Sequence, residues 1–337
     1  MEPLVSVIVP IYNVCSYLRE ALDSLVSQTY NHLEILLIDD GSTDGSGAVC
    51  DEYAARFPDR IRVIRQNNQG LSGARNTGLD HMRGELVAFL DPDDAFHPDT
   101  IRRMVRALYR RRADIVVCGY GIYPTRKIMR ASRRNSVHTV SGERLLSRSE
   151  ALGCMIDGTI SHAVWNRLYR RKCWETIRFP QGQVYEDVNT SCRVLSEADR
   201  ILLIPEVLVK YRKRPGSITQ THSLRNTLDY FAAVRQYEAF VRDHVPEYYR
   251  AEQLETLRKN QLRGMILQWT RIPAGRQKEA ARLRGEILAA GNRVSLSPKH
   301  LRTWTAFQMI RFCPWLIPVI MPVYRPLREL FRKVTGR

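Results

Sequence analysis

Hydrophobic and polar positions in the first 120 residues follow two alternating patterns. Compact runs of aliphatic residues predict buried strands at 5–9, 34–38, 61–64, 86–90 and 115–118. Apolar residues spaced three and four apart predict helices between them, at about 16–28, 45–57, 74–82 and 98–112. Strands that alternate with helices in this way indicate an α/β fold, in which a mostly parallel central sheet is flanked by helices.

The alternation weakens after Gly121, and helical apolar spacing takes over at 224–288. We therefore expect a first domain at 1–220 and a helical C-terminal region at 221–337. The first domain would consist of two halves, 1–120 and 121–220.

The charge balance is strongly basic, with 52 lysine and arginine residues against 35 aspartate and glutamate residues and a formal net charge of +17. That surplus predicts a negatively charged partner, which could be a nucleic acid, an anionic lipid or a phosphorylated ligand. The seven cysteines include no CxxC or Cys/His cluster, which argues against a disulfide framework or a structural zinc site and favours a reducing compartment. Residues 1–13 lack the features of a signal peptide, so we expect the first domain to fold in the cytoplasm.

Acidic side chains follow two of the predicted strands. Asp39 and Asp40 come after the second strand, and Asp91, Asp93 and Asp94 come after the fourth. Because ligands of such sheets bind beyond the carboxyl ends of the strands, we expect both clusters to line one crevice. Carboxylates spaced D-x-D raise each other's pKa unless a cation is present, and Mg²⁺ or Mn²⁺ commonly binds them together with substrate phosphates. The alternative is a turn cluster before the next helix.

Two further motifs are ambiguous when each is taken alone. Asp40 could accept hydrogen bonds from a nucleoside, or it could cap the helix that follows. The glycine-containing turn at 70–76 could present backbone N–H groups to a phosphate, although Arg75 within it could simply be a solvated charge.

The order of the motifs is more specific than any one of them. The chain contains, in this order, Ser6-Val7-Ile8-Val9-Pro10-Ile11-Tyr12-Asn13, Asp39-Asp40-Gly41-Ser42, Ala74-Arg75-Asn76 and Asp91-Pro92-Asp93-Asp94. This set resembles the family 2 glycosyltransferases, which have the GT-A fold. The resemblance is strong over residues 4–120 and continues more loosely through Trp165-Asn166-Arg167-Leu168-Tyr169, Tyr185-Glu186-Asp187 and Tyr211-Arg212. It implies an inverting enzyme that uses a UDP-sugar together with Mn²⁺ or Mg²⁺.

The resemblance also implies roles for individual residues. The donor nucleotide would contact Pro10, Tyr12, Asp40, Arg75 and Asp91. Asp93 would bind the metal, with Asp91 and Asp94 as further ligands. Asp187 would be the general base that deprotonates the acceptor. The acceptor side would include Trp165, Asn166, Glu186 and Arg212. Taken alone, the pair Glu186-Asp187 could instead be acidic residues favoured at a helix N-terminus.

The chain departs from the family pattern at two positions. Arg167 stands where the family often has lysine, and Pro92 replaces a commoner small polar residue and should stiffen the metal-binding turn. The sequence has no Q-x-x-R-W motif and no predicted transmembrane helix, whereas both are expected in processive polysaccharide synthases. It therefore favours the addition of a single sugar.

The C-terminal tail at 302–337 is amphipathic and combines aromatic and basic side chains with the apolar run 312–324. That run is shorter than the ~20 residues needed to span a bilayer, and its repeated prolines exclude a regular helix. The composition is typical of a segment at the depth of the lipid headgroups. We therefore expect peripheral contact with the inner face of the cell membrane. The alternative is an arm that packs on protein.

Together these observations predict a glycosyltransferase that adds one sugar to a saccharide or lipid-linked saccharide during assembly of a cell-surface polysaccharide. A sugar-phosphate nucleotidylyltransferase is the first alternative, but it should carry a Gly-rich basic loop after the first strand, where this chain has Pro10-Ile11-Tyr12-Asn13. A non-enzymatic nucleic-acid-binding protein would explain the charge but not the acidic strand ends, so no nucleic-acid partner is expected. The sequence does not determine the donor sugar, the linkage or the oligomeric state.

Overall fold

The computed structural model describes residues 2–123, 136–214, 224–246, 277–292 and 301–312, together with position 294 and individual positions between 255 and 269. The chain divides into two compact units. The first unit contains Met1–Gln220 and Ala233–Tyr248, and the second contains Thr221–Ala232 and Tyr249–Arg337. All the site residues expected from the sequence belong to the first unit.

One sheet dominates the first unit, and ten strands of the described residues contribute to it. The strands are β1 (Val5–Ile11), β2 (Leu33–Asp39), β3 (Ile61–Arg65), β4 (Leu86–Phe89), β5 (Ala95–Phe96), β6 (Ile115–Tyr123), β7 (Ser136–His138), β8 (Arg144–Ser147), β9 (Arg167–Arg170) and β10 (Arg200–Arg212). Their order along the sheet is β3-β2-β1-β4-β9-β6-β10-β5, with β7 paired to β6 and β8 paired to β10.

Strands β1 to β4 form a parallel block, in which β1 lies between β2 and β4. Every residue of β1, β2 and β4 is buried, which explains why these strands appear in the sequence as continuous apolar runs. The predicted strands and the predicted α/β architecture are therefore confirmed. Because β1 and β4 are parallel neighbours, their carboxyl ends lie side by side at one edge of the sheet.

The antiparallel strands join this block to the rest of the sheet. Strand β9 lies antiparallel between β4 and β6, and β6 in turn is parallel to β10. Strand β5 follows directly after the acidic turn at 91–94 and pairs antiparallel with β10, with Val209 opposite Phe96 and Lys210 opposite Ala95. This pairing brings the end of β10 next to the acidic turn.

The helices within the first 120 residues fall close to their predicted positions, and the described residues contain further helices after them. In chain order, the helices are α1 (Cys15–Val26), α2 (Ser46–Arg56), α3 (Gly70–His81), α4 (Thr100–Arg110), α5 (Arg148–Ile156), α6 (Glu186–Ser196) and α7 (Leu224–His244), and the second unit has two more described helices, Gln277–Gly291 and Leu301–Phe312. Helix α3 begins four residues earlier than the apolar spacing indicates. The reason is tertiary, because the carboxylate of Asp40 accepts hydrogen bonds from the backbone N–H groups of Gln69 and Gly70 at its first turn.

An aromatic cluster supports the sheet beneath the site. Phe89 at the end of β4 meets Tyr169, Trp174 and Phe179 at ring-centroid distances of 6.2, 5.1 and 5.7 Å, all in edge-to-face arrangements. Phe179 is fixed further by Asn76 of α3, whose side-chain amide exchanges two hydrogen bonds with its backbone. The cluster therefore ties α3 to the chain segment that precedes α6.

The second unit has a hydrophobic core of its own. It contains Phe231, Leu262, Met265, Ile266, Leu283, Ile287, Phe307 and Ile310. Arg284 donates hydrogen bonds to the backbone carbonyls of Ile310 and Arg311, both at 2.9 Å, at the end of the last described helix. The start of the predicted membrane tail, up to residue 312, therefore packs against protein.

The rest of that tail, 313–337, lies outside the described residues. In the part of the chain that is described, no helix combines the length and the apolar character needed to cross a bilayer.

Candidate active site

The carboxyl end of β1 presents the first predicted donor-binding residues. Tyr12 follows the strand directly and is 49% exposed, so its ring is accessible for stacking on a ligand. Pro10 is buried within β1, in register with Ile38 of β2. Pro10 therefore shapes the strand from which Tyr12 projects, and any effect it has on a nucleotide is indirect.

Asp40 at the end of β2 holds the turn that leads into α3. Its side chain is buried, and its two oxygens accept hydrogen bonds from the side chain of Gln66 at 2.6 Å and from the backbone N–H groups of Gln69 and Gly70 at 2.9 and 2.8 Å. Gly70 has a φ of 77°, a left-handed conformation that glycine adopts without strain. The carboxylate thus caps α3 and not α2, the next helix along the chain, whose N-cap residue makes no side-chain hydrogen bond. The hydrogen bond to a nucleoside stays a prediction.

The acidic turn after β4 places three carboxylates in different environments. Asp91 and Asp93 keep 22% and 16% of their side chains exposed, whereas Asp94 is fully buried. Burial, together with the charge of Asp91, raises the pKa of Asp93. Burial and the other two aspartates raise the pKa of Asp94 well above its ordinary value. The turn therefore concentrates negative charge that favours a nearby cation.

Arg212 and Arg214, at and just after the end of β10, place positive charge next to the acidic turn. The antiparallel register of β5 and β10, continued by two residues beyond Lys210 and Ala95, sets Arg212 opposite Asp93. The backbone N–H of Arg212 donates to Asp94 Oδ1 at 2.7 Å, and its Nε donates to the carbonyl of Asp93 at 2.7 Å. Arg214 Nε donates to Asp93 Oδ2 at 2.5 Å. Arg212 thus holds the acidic turn in place, and the acceptor-side role expected for it stays a prediction.

The acidic turn fits a divalent cation that is shared with a ligand. Within the described residues, no three His, Cys, Asp or Glu side chains form a closed metal site. Asp91 and Asp93 are accessible, and a cation on one or two carboxylates would complete its coordination with phosphate oxygens. The Arg214 guanidinium pairs with Asp93, and the pKa of the Asp93 carboxyl is raised. Both observations indicate that a positive charge next to Asp93 is favourable. Asp94 is fully buried and accepts a hydrogen bond from the backbone of Arg212, and the metal ligation expected for it stays a prediction.

Arg75 connects the acidic turn to the start of α6. Its side chain is 3% exposed, and its two terminal nitrogens donate to Asp91 Oδ1 at 2.8 Å and to Glu186 Oε1 at 2.5 Å. The guanidinium also lies over the ring of Phe179, 5.2 Å from the centroid. Burial alone would lower the pKa of Arg75, but the two carboxylates outweigh it and raise that pKa. The two terminal nitrogens of Arg75 thus hold the carboxylates of Asp91 and Glu186 on either side of one guanidinium, and the contact with a donor expected for Arg75 stays a prediction.

Asp187 lies beside this bridge in the first turn of α6. Burial first, and the neighbouring charge of Glu186 second, raise the pKa of Asp187 to about 7, while Arg75 opposes the shift. A helix N-terminus by itself stabilises the ionised carboxylate, so the raised pKa of Asp187 comes from burial and from Glu186 against that effect. A carboxylate whose pKa lies near neutrality beside a charged cluster is a candidate general base.

Trp165 and Asn166, both expected on the acceptor side, precede β9 and are buried. The Trp165 ring stacks on Tyr211 with a centroid distance of 5.3 Å. The Asn166 side chain donates to the carbonyl of Cys118 at 2.8 Å. The structure therefore brings Asp91, Arg75, Glu186 and Asp187 together, whereas Trp165 and Asn166 belong to the wall formed by β6, β9 and β10.

Three contributors to the site were not predicted from the sequence. Arg214 binds Asp93, Glu20 of α1 accepts from Arg212 at 2.6 Å, and the Tyr17 ring lies 4.9 and 5.1 Å from the two guanidinium groups. Arg214 stands two residues beyond the end of β10, so strand alternation gave no signal for it. Its partner could be identified only from the pairing of β5 with β10.

Comparison with solved structures identifies the fold. The structure of S. aureus TarS 1–349 in complex with UDP-GlcNAc matches with a TM-score of 0.66 and 20% identity, over 85% of this chain and 81% of that one. The mannosyltransferase PcManGT from Pyrobaculum calidifontis, in complex with GDP-Man and Mn²⁺, matches with a TM-score of 0.55 and 18% identity, over 96% of this chain and 85% of that one. These likenesses establish the expected GT-A type of α/β fold.

Sequence comparison then identifies the family. The model named Glycosyl transferase family 2 matches residues 6–177, and this chain belongs to that family.

This chain aligns with part of the length of each of the named relatives that follow. Glycosyltransferase GlyA of Streptococcus pneumoniae is 34% identical over 65% of this chain and 32% of GlyA. Glycosyltransferase EpsJ of Bacillus subtilis is 36% identical over 65% of this chain and 64% of EpsJ. The minor teichoic acid biosynthesis protein GgaB of Bacillus subtilis is 27% identical over 67% of this chain and 25% of GgaB. The chain thus spans about a third of GlyA and just under two thirds of EpsJ.

Proposed function

We propose that this chain is an inverting glycosyltransferase that moves one sugar from a UDP-sugar to a hydroxyl group of a saccharide acceptor. The observation that carries the proposal is the bridge from Asp91 through Arg75 to Glu186, with Asp187 beside it. It links an acidic turn at a strand end to a carboxylate whose pKa is raised to about 7. Membership of glycosyl transferase family 2 supports the reaction class.

The catalytic domain would be 1–220. We assign donor binding to its first half, 1–120, and the acceptor and the base to 121–220. The C-terminal region 221–337 would be helical, and its tail at 302–337 would contribute the contact with the membrane.

The donor would bind across the carboxyl ends of β1, β2 and β4. Tyr12 would stack on the uracil ring, and Asp40 would hold the turn that orients the nucleoside. Asp91 and Asp93 would hold Mn²⁺ or Mg²⁺ against the diphosphate. When bound, the cation offsets the negative charge that develops on the departing diphosphate. Arg214 lies on Asp93 and would share or release that carboxylate as the donor binds.

Asp187 would accept the proton of the attacking hydroxyl group. Near pH 7, about half of the Asp187 carboxylates are ionised, and each is a stronger base than an ordinary aspartate. A single displacement from the face opposite the diphosphate inverts the anomeric centre, so an α-linked donor would give a β-linked product. Glu186 and Arg75 would hold the base in position relative to the donor.

The acceptor is proposed to be a lipid-linked saccharide in the assembly of a cell-surface polysaccharide. The net charge of +17, the tail at 302–337 and the likeness to a teichoic acid biosynthesis protein support this. The protein would then act peripherally on the inner face of the cell membrane. Co-sedimentation with anionic liposomes should fall when the chain is truncated after Thr303, and unchanged partitioning would exclude the tail as the membrane contact.

Release of nucleoside diphosphate from a panel of nucleotide sugars tests the reaction, with Mn²⁺ or with EDTA. We expect turnover of one UDP-sugar that is lost with EDTA, in Asp93→Ala and in Asp187→Asn. Asp199→Asn is the matched control, because the Asp199 side chain is 75% exposed and pairs with Arg148, which is not a motif residue. Formation of UDP-sugar from UTP and a sugar 1-phosphate would instead identify a nucleotidylyltransferase.

A further inference from the structure

Two neighbouring loops at the carboxyl ends of β1 and β2 are joined through their side chains. Residues 12–15 lead from β1 into α1, and residues 40–46 lead from β2 into α2. Three successive backbone N–H groups of the first loop donate to side chains of the second, and we call these contacts, between 13–15 and 42–46, the loop clasp. The pairs are Asn13 with Ser42 Oγ at 3.3 Å, Val14 with Ser46 Oγ at 3.0 Å and Cys15 with Asp44 Oδ2 at 2.9 Å.

Asn13 makes the loop clasp reciprocal. Its side-chain Oδ1 accepts hydrogen bonds from the backbone N–H of Thr43 at 2.8 Å and from the hydroxyl of Thr43 at 3.4 Å. Its backbone has a φ of 50°, a left-handed conformation that asparagine and aspartate adopt more readily than other residues with a side chain. Asn13 therefore suits this position in two ways, through its backbone preference and through its side-chain oxygen.

Asp44 holds the other side of the loop clasp. While its Oδ2 accepts from Cys15, its Oδ1 accepts from the backbone N–H and the hydroxyl of Ser46 at 3.0 and 2.6 Å. Burial would raise the pKa of Asp44, but the hydrogen bonds from Ser46 and Cys15 outweigh it and lower that pKa. The carboxylate is thus ionised at neutral pH, and hydrogen bonds to an ionised acceptor are strong.

The loop clasp also uses the N–H groups at the start of α1. Val14, the N-cap residue of α1, has no side-chain oxygen, so Ser46 and Asp44 take the place of a local cap. N–H groups at the start of a helix otherwise attract phosphate, but those of residues 13–15 already have partners. Any effect of the loop clasp on a ligand therefore comes through the residues that it positions.

Tyr12 lies between the loop clasp and β1. On one side, Ile11 is fully buried, and its carbonyl accepts a hydrogen bond from the N–H of Asp40 at 2.8 Å. On the other side, Asn13 is fixed by the loop clasp. Two fixed neighbours set the direction of the backbone at Tyr12, while its ring stays 49% exposed. A binding group that is fixed in advance loses less conformational entropy when the ligand arrives.

We propose that Asn13 is a positioning residue for the donor nucleoside, because it holds the Tyr12 ring where that ring stacks on the uracil. The inference rests on the proposed function, which assigns Tyr12 to the uracil. The Oδ1 of Asn13 is engaged with Thr43, so Asn13 acts through Tyr12 and not by touching the base. Sparsely populated backbone conformations concentrate at binding sites, where the surrounding contacts maintain them.

A double-mutant cycle between Asn13 and Tyr12 tests the inference on the full chain, with UMP as the ligand and ligand-observed NMR titration as the measurement. Asn13→Ala should weaken UMP binding about 2- to 10-fold, the range for one hydrogen bond. In the Tyr12→Ala background, Asn13→Ala should change UMP binding by less than about twofold, because the ring through which it acts is absent. Asn13→Asp should restore binding, because aspartate keeps the acceptor oxygen and the left-handed preference.

Ser147→Ala is the matched control for a loss of stability alone. Ser147 caps α5 by accepting a hydrogen bond from the backbone N–H of Glu150, and it belongs to none of the donor motifs. Its removal should lower the melting temperature, as expected for the loss of a helix cap, and leave UMP binding unchanged.

Three results would overturn the inference. They are unchanged UMP binding in Asn13→Ala, an equal loss with and without the Tyr12 ring, and a loss in Asn13→Asp as large as that in Asn13→Ala. Each of them refutes the inference alone, provided that the native chain binds UMP. A native chain without affinity for UMP would refute the uridine nucleotide of the proposed function as well, so the two failures are distinguishable.

Discussion

Replacing Glu186 by glutamine should move the pH dependence of turnover toward acid. Burial first, and the adjacent Glu186 charge second, raise the pKa of Asp187 to about 7. Glutamine keeps the shape of Glu186 and can still accept a hydrogen bond from Arg75, but it removes one like charge from a poorly solvated site. The pKa of Asp187 should therefore fall in Glu186→Gln.

The size of the shift follows from Coulomb's law. Two like charges ~6 Å apart at an effective dielectric constant of ~20 repel by ~2.8 kcal/mol, and one pKa unit corresponds to ~1.4 kcal/mol. Asp187 is partly exposed, and solvent screening reduces the effect to about one pKa unit. At pH 6 the ionised fraction of Asp187 would then rise from about one tenth to about one half. Relative to its plateau, kcat/KM at that pH should rise about fivefold.

The assay is UDP release measured between about pH 5 and 9, from which the acidic limb of kcat/KM is fitted. Glu197→Gln, at the other end of α6, is the matched control and should leave the limb unchanged. Arg75→Gln should move the limb toward alkaline pH, because the Arg75 charge lowers the pKa of Asp187. An unchanged limb in Glu186→Gln, or shifts of the same sign in both variants, would refute the assignment of Asp187 as the coupled base.

The remaining predictions concern stability and cation binding. Asp187→Asn should raise the free energy of unfolding at pH 8 by up to ~4 kcal/mol and have little effect below about pH 4, since a carboxyl whose folded pKa exceeds its unfolded pKa destabilises the protein once ionised. Arg214→Ala should tighten Mn²⁺ binding several-fold in the absence of nucleotide, measured by EPR, because it frees Asp93. Gly291→Ala should destabilise the second unit by about 1–3 kcal/mol in chemical denaturation, because a Cβ there would lie 2.0 Å from the Phe307 ring.

Each of these three predictions has a matched control variant in the same chain. Asp199→Asn, on the surface, should show no pH-dependent gain in stability, and an equal gain would contradict the first prediction. Arg178→Ala, which breaks an exposed pair with Asp80, should leave Mn²⁺ affinity unchanged. Gly285 sits in the same helix as Gly291 with open space around it, so Gly285→Ala should be neutral or stabilising by about 0.5–1 kcal/mol. If Gly285→Ala lowers the free energy of unfolding as much as Gly291→Ala does, the loss comes from replacing a glycine of this helix and not from the contact with Phe307.

The first half of the sheet could be predicted from the sequence because its information is local. Strands β1, β2 and β4 are buried along their whole length, so each is a continuous apolar run. Polar residues follow directly where such a run leaves the core, which is why the acidic strand ends at Asp40 and Asp91 were identifiable. Parallel strands bring those ends to one edge of the sheet, so the edge at which both acidic clusters lie followed from the pattern alone.

The partners within the site were decided only by the tertiary structure. Arg75 and Glu186 are 111 residues apart, and Asp93 and Arg214 are 121 apart. No periodicity in the sequence records such pairs, because they arise from the antiparallel insertion of β9 and from the pairing of β5 with β10. The raised pKa of Asp187 has the same origin, since desolvation and neighbouring charge exist only once distant segments pack together. Hydrophobic patterning fixes which strands form, whereas long-range packing fixes which charges meet.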